Sequence, residues 1–260
     1  MFACVTSQPT QLETRTKTYF ASDFHLGVPS GRESLEREKA VVAWLESVRT
    51  DARAIYLLGD VFDYWFEYRS VVAKGHVRLL GKIAELADEG IEIHFFTGNH
   101  DMWTFGYLEE ELGIRVHKGP VTHTIGSKVF FIGHGDGLGP DDKGYKLMKW
   151  MFSVPLFQWL FARLHPNLSF YLARSFSAKS RKANSYRKDV FLGEDKEFLI
   201  LFIKDYLKSN HADYFIFGHR HITLDHQVGN SRYINVGEWI NTRSYAVFDG
   251  KDLTLKYWKP

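Results

Sequence analysis

A single cysteine, Cys4, among 260 residues rules out an internal disulfide and with it any sign of an oxidising compartment. No apolar run approaches the roughly 18 residues a bilayer span requires. The opening MFACVTSQPTQLETRTK lacks a basic start followed by an apolar stretch of signal-peptide length. These absences lead to the expectation of a cytoplasmic protein with a flexible extension over residues 1–16. Charge of neither sign dominates: 33 Lys and Arg stand against 31 Asp and Glu, a net of +2, so no surface is committed wholesale to nucleic acid and no such partner is expected. Internal repeats and low-complexity tracts are missing too, which sets aside solenoids and linkers. Aromatics are abundant at 16%, with 21 Phe and 7 Trp. They need either a core or a greasy binding surface.

Apolar, β-prone runs occur at 18–21, 54–58, 91–97, 129–132 and 214–217, and the first three are separated by helical patterning at 33–48 and 71–87. The alternation predicts βαβ units in a mixed sheet. After residue 221 the runs 222–228, 233–236, 244–248 and 253–258 are split by Gly-Asn and Asp-Gly turn signals, and the hairpins they form are expected to complete a second sheet. The predicted fold class is α/β, two mixed sheets flanked by helices, over 17–260. Between about 141 and 196 the sequence turns helical and aromatic and is broken by Pro155 and Pro166, as an inserted cap would be. Residues 147–172 read as amphipathic. Residues 174–188 hold six basic side chains and no acidic one, a place for an anionic group to dock.

Each of the five β-prone runs ends in a polar cluster: DFH at 23–25, GDVFD at 59–63, GNHD at 98–101, GHGD at 133–136 and GHRH at 218–221. Oxygen and nitrogen donors at strand ends converge on the rim of a sheet. A dinuclear centre needs two divalent ions and a group that bridges them. Asp23, His25 and His221 can hold one ion, Asn99, His134 and His219 the other, and Asp60 has two oxygens with which to bridge. Because side chains alternate along an extended backbone, Asp23-Phe-His25 and His219-Arg-His221 are expected to aim both donors of a pair the same way. A thiolate-free set of Asp, Asn and His suits Mn2+ or a similar ion better than structural zinc. The remaining histidines, 76, 94, 117, 123, 165, 211 and 226, lack such a motif and are read as surface or hydrogen-bonding residues.

In this order, DxH, GDxxD, GNHD, GHxD and GHxH resemble the calcineurin-like metallophosphoesterase superfamily, over residues 18 to about 240. The resemblance implies the four-layer sandwich of that superfamily and the ligand assignments above. It also implies that His100, oriented by Asp63, stabilises the transition state or protonates the leaving oxygen. Within the superfamily, HGDGLGPDDKGY at 134–145, SRKANSYRK at 180–188 and the aromatic insertion resemble the UDP-2,3-diacylglucosamine hydrolase family of lipid A biosynthesis. That likeness implies a lipid-linked nucleotide substrate, met by Asn99, His100, Asp142, Tyr145, Ser180, Asn184, Arg187 and Lys188. It further implies a peripheral location on the cytoplasmic face of the inner membrane. His100 stands where well-known members of that family carry Arg, and GHRH where they carry GHTH.

Two other readings use the same residues. One is a nuclease or soluble nucleotide phosphodiesterase, against which the near-neutral charge and the greasy insertion count. The other is a non-catalytic scaffold, which would be expected to lack a ligand or the catalytic histidine.

Overall fold

The structure is a computed structural model that describes residues 15–28, 31–140, 143–173, 175, 190–191 and 193–259. A six-stranded sheet runs in the order β11 (Leu253–Tyr257), β10 (Ser244–Phe248), β1, β2, β3, β4 and a five-stranded sheet in the order β5-β6-β7-β9-β8. In the first, β1 (Lys17–Ala21), β2 (Ala52–Leu57), β3 (Glu92–Phe96) and β4 (Arg115–His117) are parallel. In the second, β6 (Lys128–Ile132), β7 (Tyr214–Phe217) and β9 (Ser231–Val236) are parallel, with β5 (Val121–Ile125) and β8 (Thr223–Val228) antiparallel at the edges.

Side-chain alternation makes the layers. On β1, Phe20 joins Tyr56, Phe130, Ile216 and Phe248 between the sheets, while Tyr19 and Ala21 face the helices on the outer side. Helix α1 (Arg32–Val48) buries Val41, Trp44, Leu45 and Val48, the spacing of one face at 3.6 residues per turn, against that outer side. Helices α2 (Val77–Asp88) and α3 (Tyr107–Leu112) complete this layer. Helix α7 (Phe198–Tyr206) covers the far side of the second sheet through Leu199, Ile200 and Ile203. The predicted two mixed sheets flanked by helices are present.

Two boundaries depart from the sequence pattern. Helix α2 begins at Val77, not at residue 71, because Gly75 and His76 both take positive φ and break the helical run. Its first N–H groups, on Arg78 and Leu79, are then accepted by the Glu38 carboxylate of α1, a cap supplied by a neighbouring helix. The late hairpins also divide. The β8–β9 pair joins the second sheet, but β10 (Ser244–Phe248) lies antiparallel to β1, with β11 (Leu253–Tyr257) outside it, in the first. Alternating apolar residues specify a strand and leave its partner unspecified. The crossing is pinned by Trp239, fully buried, whose backbone N–H donates to Asp23 O and whose indole N–H donates to Ser244 O.

The helical segment that follows β6 contains α4 (Lys143–Ser153), α5 (Pro155–Phe161) and α6 (166–173). Trp103 attaches it to the body, donating its indole N–H to Phe152 O and packing against Phe152 and Phe161. Tyr64 against Phe170 and Tyr68 Oη beside Ser169 Oγ add further ties. Its outer side leaves Trp150, Leu156, Trp159 and Tyr171 more than half exposed. No helix among the described residues is long and apolar enough to cross a membrane.

Candidate metal centre

The carboxyl ends of β1, β2, β3, β6 and β7 meet at one rim, and the five polar clusters follow them directly. The expected ligands converge there in two groups. Asp23 Oδ1 lies 3.1 Å from His221 Nε2 and 3.6 Å from His25 Nε2. Asn99 Oδ1 lies 3.0 Å from His219 Nδ1 and 3.3 Å from His134 Nε2. A single oxygen, Asp60 Oδ2, joins the groups, 3.8 Å from His25 Nε2 and 3.5 Å from His134 Nε2.

The donor set fits cations. His25 Nε2 and His221 Nε2 face each other at 3.1 Å, which requires either a shared proton or a positive charge beside both. Asp23 Oδ1 is buried and accepts no hydrogen bond, a costly state for a carboxylate oxygen unless a cation satisfies it. His134 donates its Nδ1 proton to Leu58 O at 2.7 Å, which leaves Nε2 as the nitrogen turned to the site. The carboxylates and imidazoles of the site also bias one another's charge. Burial alone would lower His25 and His134, yet the surrounding carboxylates, Asp23, Asp63 and Asp60 among them, push both up to about 10. Burial would likewise raise Asp23 and Asp60, but the histidines hold both well below the ordinary carboxylate range. His219, desolvated and beside His134, is lowered to about 4.

The paired donors are not aimed by extended strands. Asp23, His25, Asp60, His219 and His221 all have positive φ, between 44° and 66°. The left-handed backbone bends each side chain into the rim, and His219 and His221 serve different groups. Non-glycine residues rarely adopt this region, and five together mark a site held in place by its surroundings. Gly98 and Gly218 matter for close approach: a Cβ at Gly98 would overlap the Asp60 carboxylate, and one at Gly218 would overlap Ser22 and Asp23. Neither has positive φ, which among the motif glycines is confined to Gly59 and Gly135.

His100 stands beside the first group, its ring 5.0 Å from that of His25, centroid to centroid. Asp63 lies against it through the backbone carbonyl, 2.9 Å from Nδ1, with the carboxylate at 3.7 Å. His25, Asp63 and His100 form a second cluster of donor atoms close enough to share an ion. Of the expected substrate contacts, Asn99 and His100 lie at this rim. Asp142, Ser180, Asn184, Arg187, Lys188 and the side chain of Tyr145 fall outside the described residues, as does most of the basic stretch from 174 to 188.

Some residues at the site had no role in the sequence reading. Asp101, fully buried, accepts N–H groups from Val61 and Gly98 and so locks the second and third loops together. Burial, and after it the Asp60 charge, raise its carboxyl to about 7. The motif GNHD contained it and its Gly98 partner, but the Val61 partner that ties it to the second loop is forty residues away. Arg37, on α1, donates to the carbonyls of His25 and Val28 and fixes the first loop. Lys149 reaches back from α4 to Asp136 at 2.6 Å. Only the fold brings these together.

The family model for calcineurin-like phosphoesterases matches residues 16–223. A UDP-2,3-diacylglucosamine hydrolase of Porphyromonas gingivalis is 42% identical over 255 residues, covering 93% of this chain and 97% of the relative. Hydrolases of the same name from a Shewanella species and Actinobacillus succinogenes are 25% and 26% identical, each over 92% of this chain and over 96% and 99% of the relatives. With the two-group donor cluster at the strand ends and a family match spanning most of the sequence, the chain belongs to the calcineurin-like phosphoesterase family.

Proposed function

We propose that this protein uses two divalent ions, Mn2+ by the chemistry of the donors, to hydrolyse the diphosphate of UDP-2,3-diacylglucosamine, releasing UMP and 2,3-diacylglucosamine 1-phosphate. The observation that carries the lipid half of this reading is an apolar pocket of about 320 Å³ lined by Trp103, Met151, Phe152, Phe157, Leu160 and Phe161. Trp103 in its wall follows the GNHD cluster by two residues in the sequence. The name of the 42% identical relative supports the same substrate.

Two ions held there would supply Lewis-acid stabilisation of phosphoryl oxygens and acidify a water. The chain's own residues do the rest. Asp23, His25 and His221 would hold one ion and Asn99, His134 and His219 the other, with Asp60 placed between. His100, its Nδ1 proton given to the Asp63 carbonyl, presents Nε2 to the phosphate or the leaving oxygen. The insertion takes acyl chains, each buried methylene contributing about 0.8 kcal/mol. The exposed Trp150, Leu156, Trp159 and Tyr171 support peripheral contact with the cytoplasmic face of the inner membrane. Product analysis with UDP-2,3-diacylglucosamine and Mn2+ is the test. Formation of UMP and the lipid monophosphate is expected, and an intact substrate with active turnover of other phosphodiesters sinks the proposal.

A further inference from the structure

A second cleft, of about 250 Å³, opens on the other side of α4, with Lys118, Pro120, His134, Leu138, Lys146 and Lys149 in its wall. It differs from the apolar pocket in carrying charged side chains among its apolar ones. Three lysines face it against one carboxylate, Asp136, and that carboxylate is already taken by Lys149. Lys146 donates to Gly139 O, and Lys118 makes no ion pair among the described residues, its Nζ resting 5.7 Å from the Phe105 ring centroid. A surplus of positive charge therefore stands beside His134, at the second of the two donor groups. Met151 and Phe152 of the same helix line the other pocket, which has no ionisable side chain in its wall.

Helix α4 thus partitions the space around the centre into a cationic cleft and an apolar one. An acyl chain in the first would strand lysines away from water, and a nucleotide in the second would strand its own polar groups. We propose that the cleft beside His134 receives the nucleoside 5′-phosphate half of the substrate. Lys118 and Lys146 meet its oxygens through charge-assisted hydrogen bonds, and Pro120 and Leu138 present apolar faces to the base. The inference rests on the lipid-linked nucleotide reading above and assigns its two halves to two sides of one helix.

Titration of UMP and of inorganic phosphate into the Mn2+-loaded protein tests this. Lys118→Glu and the double variant Lys118→Ala/Lys146→Ala should weaken UMP tenfold or more and inorganic phosphate, which needs only the ions, less than twofold. Phe157→Glu, in the apolar pocket, should leave UMP affinity within twofold. Lys118 is exposed, so its single variant keeps the test independent of folding even if loss of the Lys146 contact disturbs the Gly139 turn. UMP affinity unchanged in both lysine variants, or weakened in step with inorganic phosphate, overturns the assignment. Lysine-dependent UMP binding by a protein that leaves UDP-2,3-diacylglucosamine intact would instead retain the cleft and reject the lipid substrate.

Discussion

Asp60 Oδ1 accepts the backbone N–H of His100 at 2.9 Å, and this bond turns Oδ2 into the space between the two donor groups. One oxygen then serves both. Asp60→Ala should abolish phosphodiester turnover and cut bound metal from two ions per chain to one or fewer, with far-UV circular dichroism unchanged. Two ions retained with near-normal turnover would mean that Asp60 does not bridge.

His100 touches the first donor group from outside it. His100→Ala should lower kcat by roughly 10² to 10⁴, the range for a positioned acid or base, while metal content measured by emission spectroscopy stays the same. Loss of an ion from this variant would make His100 a ligand, the role the His25, Asp63 and His100 cluster could also support.

The insertion can be separated from the chemistry by choosing residues that line the apolar pocket without bracing it. Phe157 and Leu160 are 40% and 48% exposed, whereas Phe161 packs on Trp103 and Phe66. Phe157→Glu and Leu160→Glu should depress turnover of a diacylated substrate at least tenfold and leave a small aryl phosphodiester nearly unaffected. Equal losses on both substrates would identify the pocket as ordinary core.

Away from the centre, His94 stacks between Tyr56 and His117, with His123 edge-on. Burial, then the neighbouring His117 and His123, lower it to about 3, and His117 and His123 are lowered as well. The folded protein keeps these rings neutral, while the unfolded chain protonates them below about pH 6.5. Stability is therefore unaffected above that pH and falls as pH drops from about 6.5 toward 3. For His94 alone the loss between pH 6.5 and 5 is about 2 kcal/mol, at 1.4 kcal/mol per pH unit. Urea unfolding of His94→Phe should show a shallower loss over this window than the parent, and identical slopes would refute the account.

The donor inventory was legible in the sequence because each ligand sits within a few residues of a strand end, where local pattern and chemistry coincide. Strand existence was legible for the same reason. Which sheet takes β10 was not, since Ala246 and Phe248 would alternate equally well in either. Asp101 and Arg37 were invisible in role because their partners, Val61 and His25, lie forty and twelve residues away. The left-handed backbone at Asp23, His25, Asp60, His219 and His221 had no sequence signal at all, because none of the five is a glycine.

Those five conformations set function against folding. Each non-glycine residue in the left-handed region costs about 1–2 kcal/mol relative to a relaxed backbone, so the residues that make the centre also load it with strain. Glycine would relieve that strain wherever a ligand is removed. An inactive His219→Gly protein, stripped of metal, should then unfold at a higher temperature than its metal-free parent, because the His219 ring is held neutral and its backbone N–H still donates to Asp23. Selection for thermal stability alone would erode the ligands first, and their presence in this chain is the mark of selection for the chemistry.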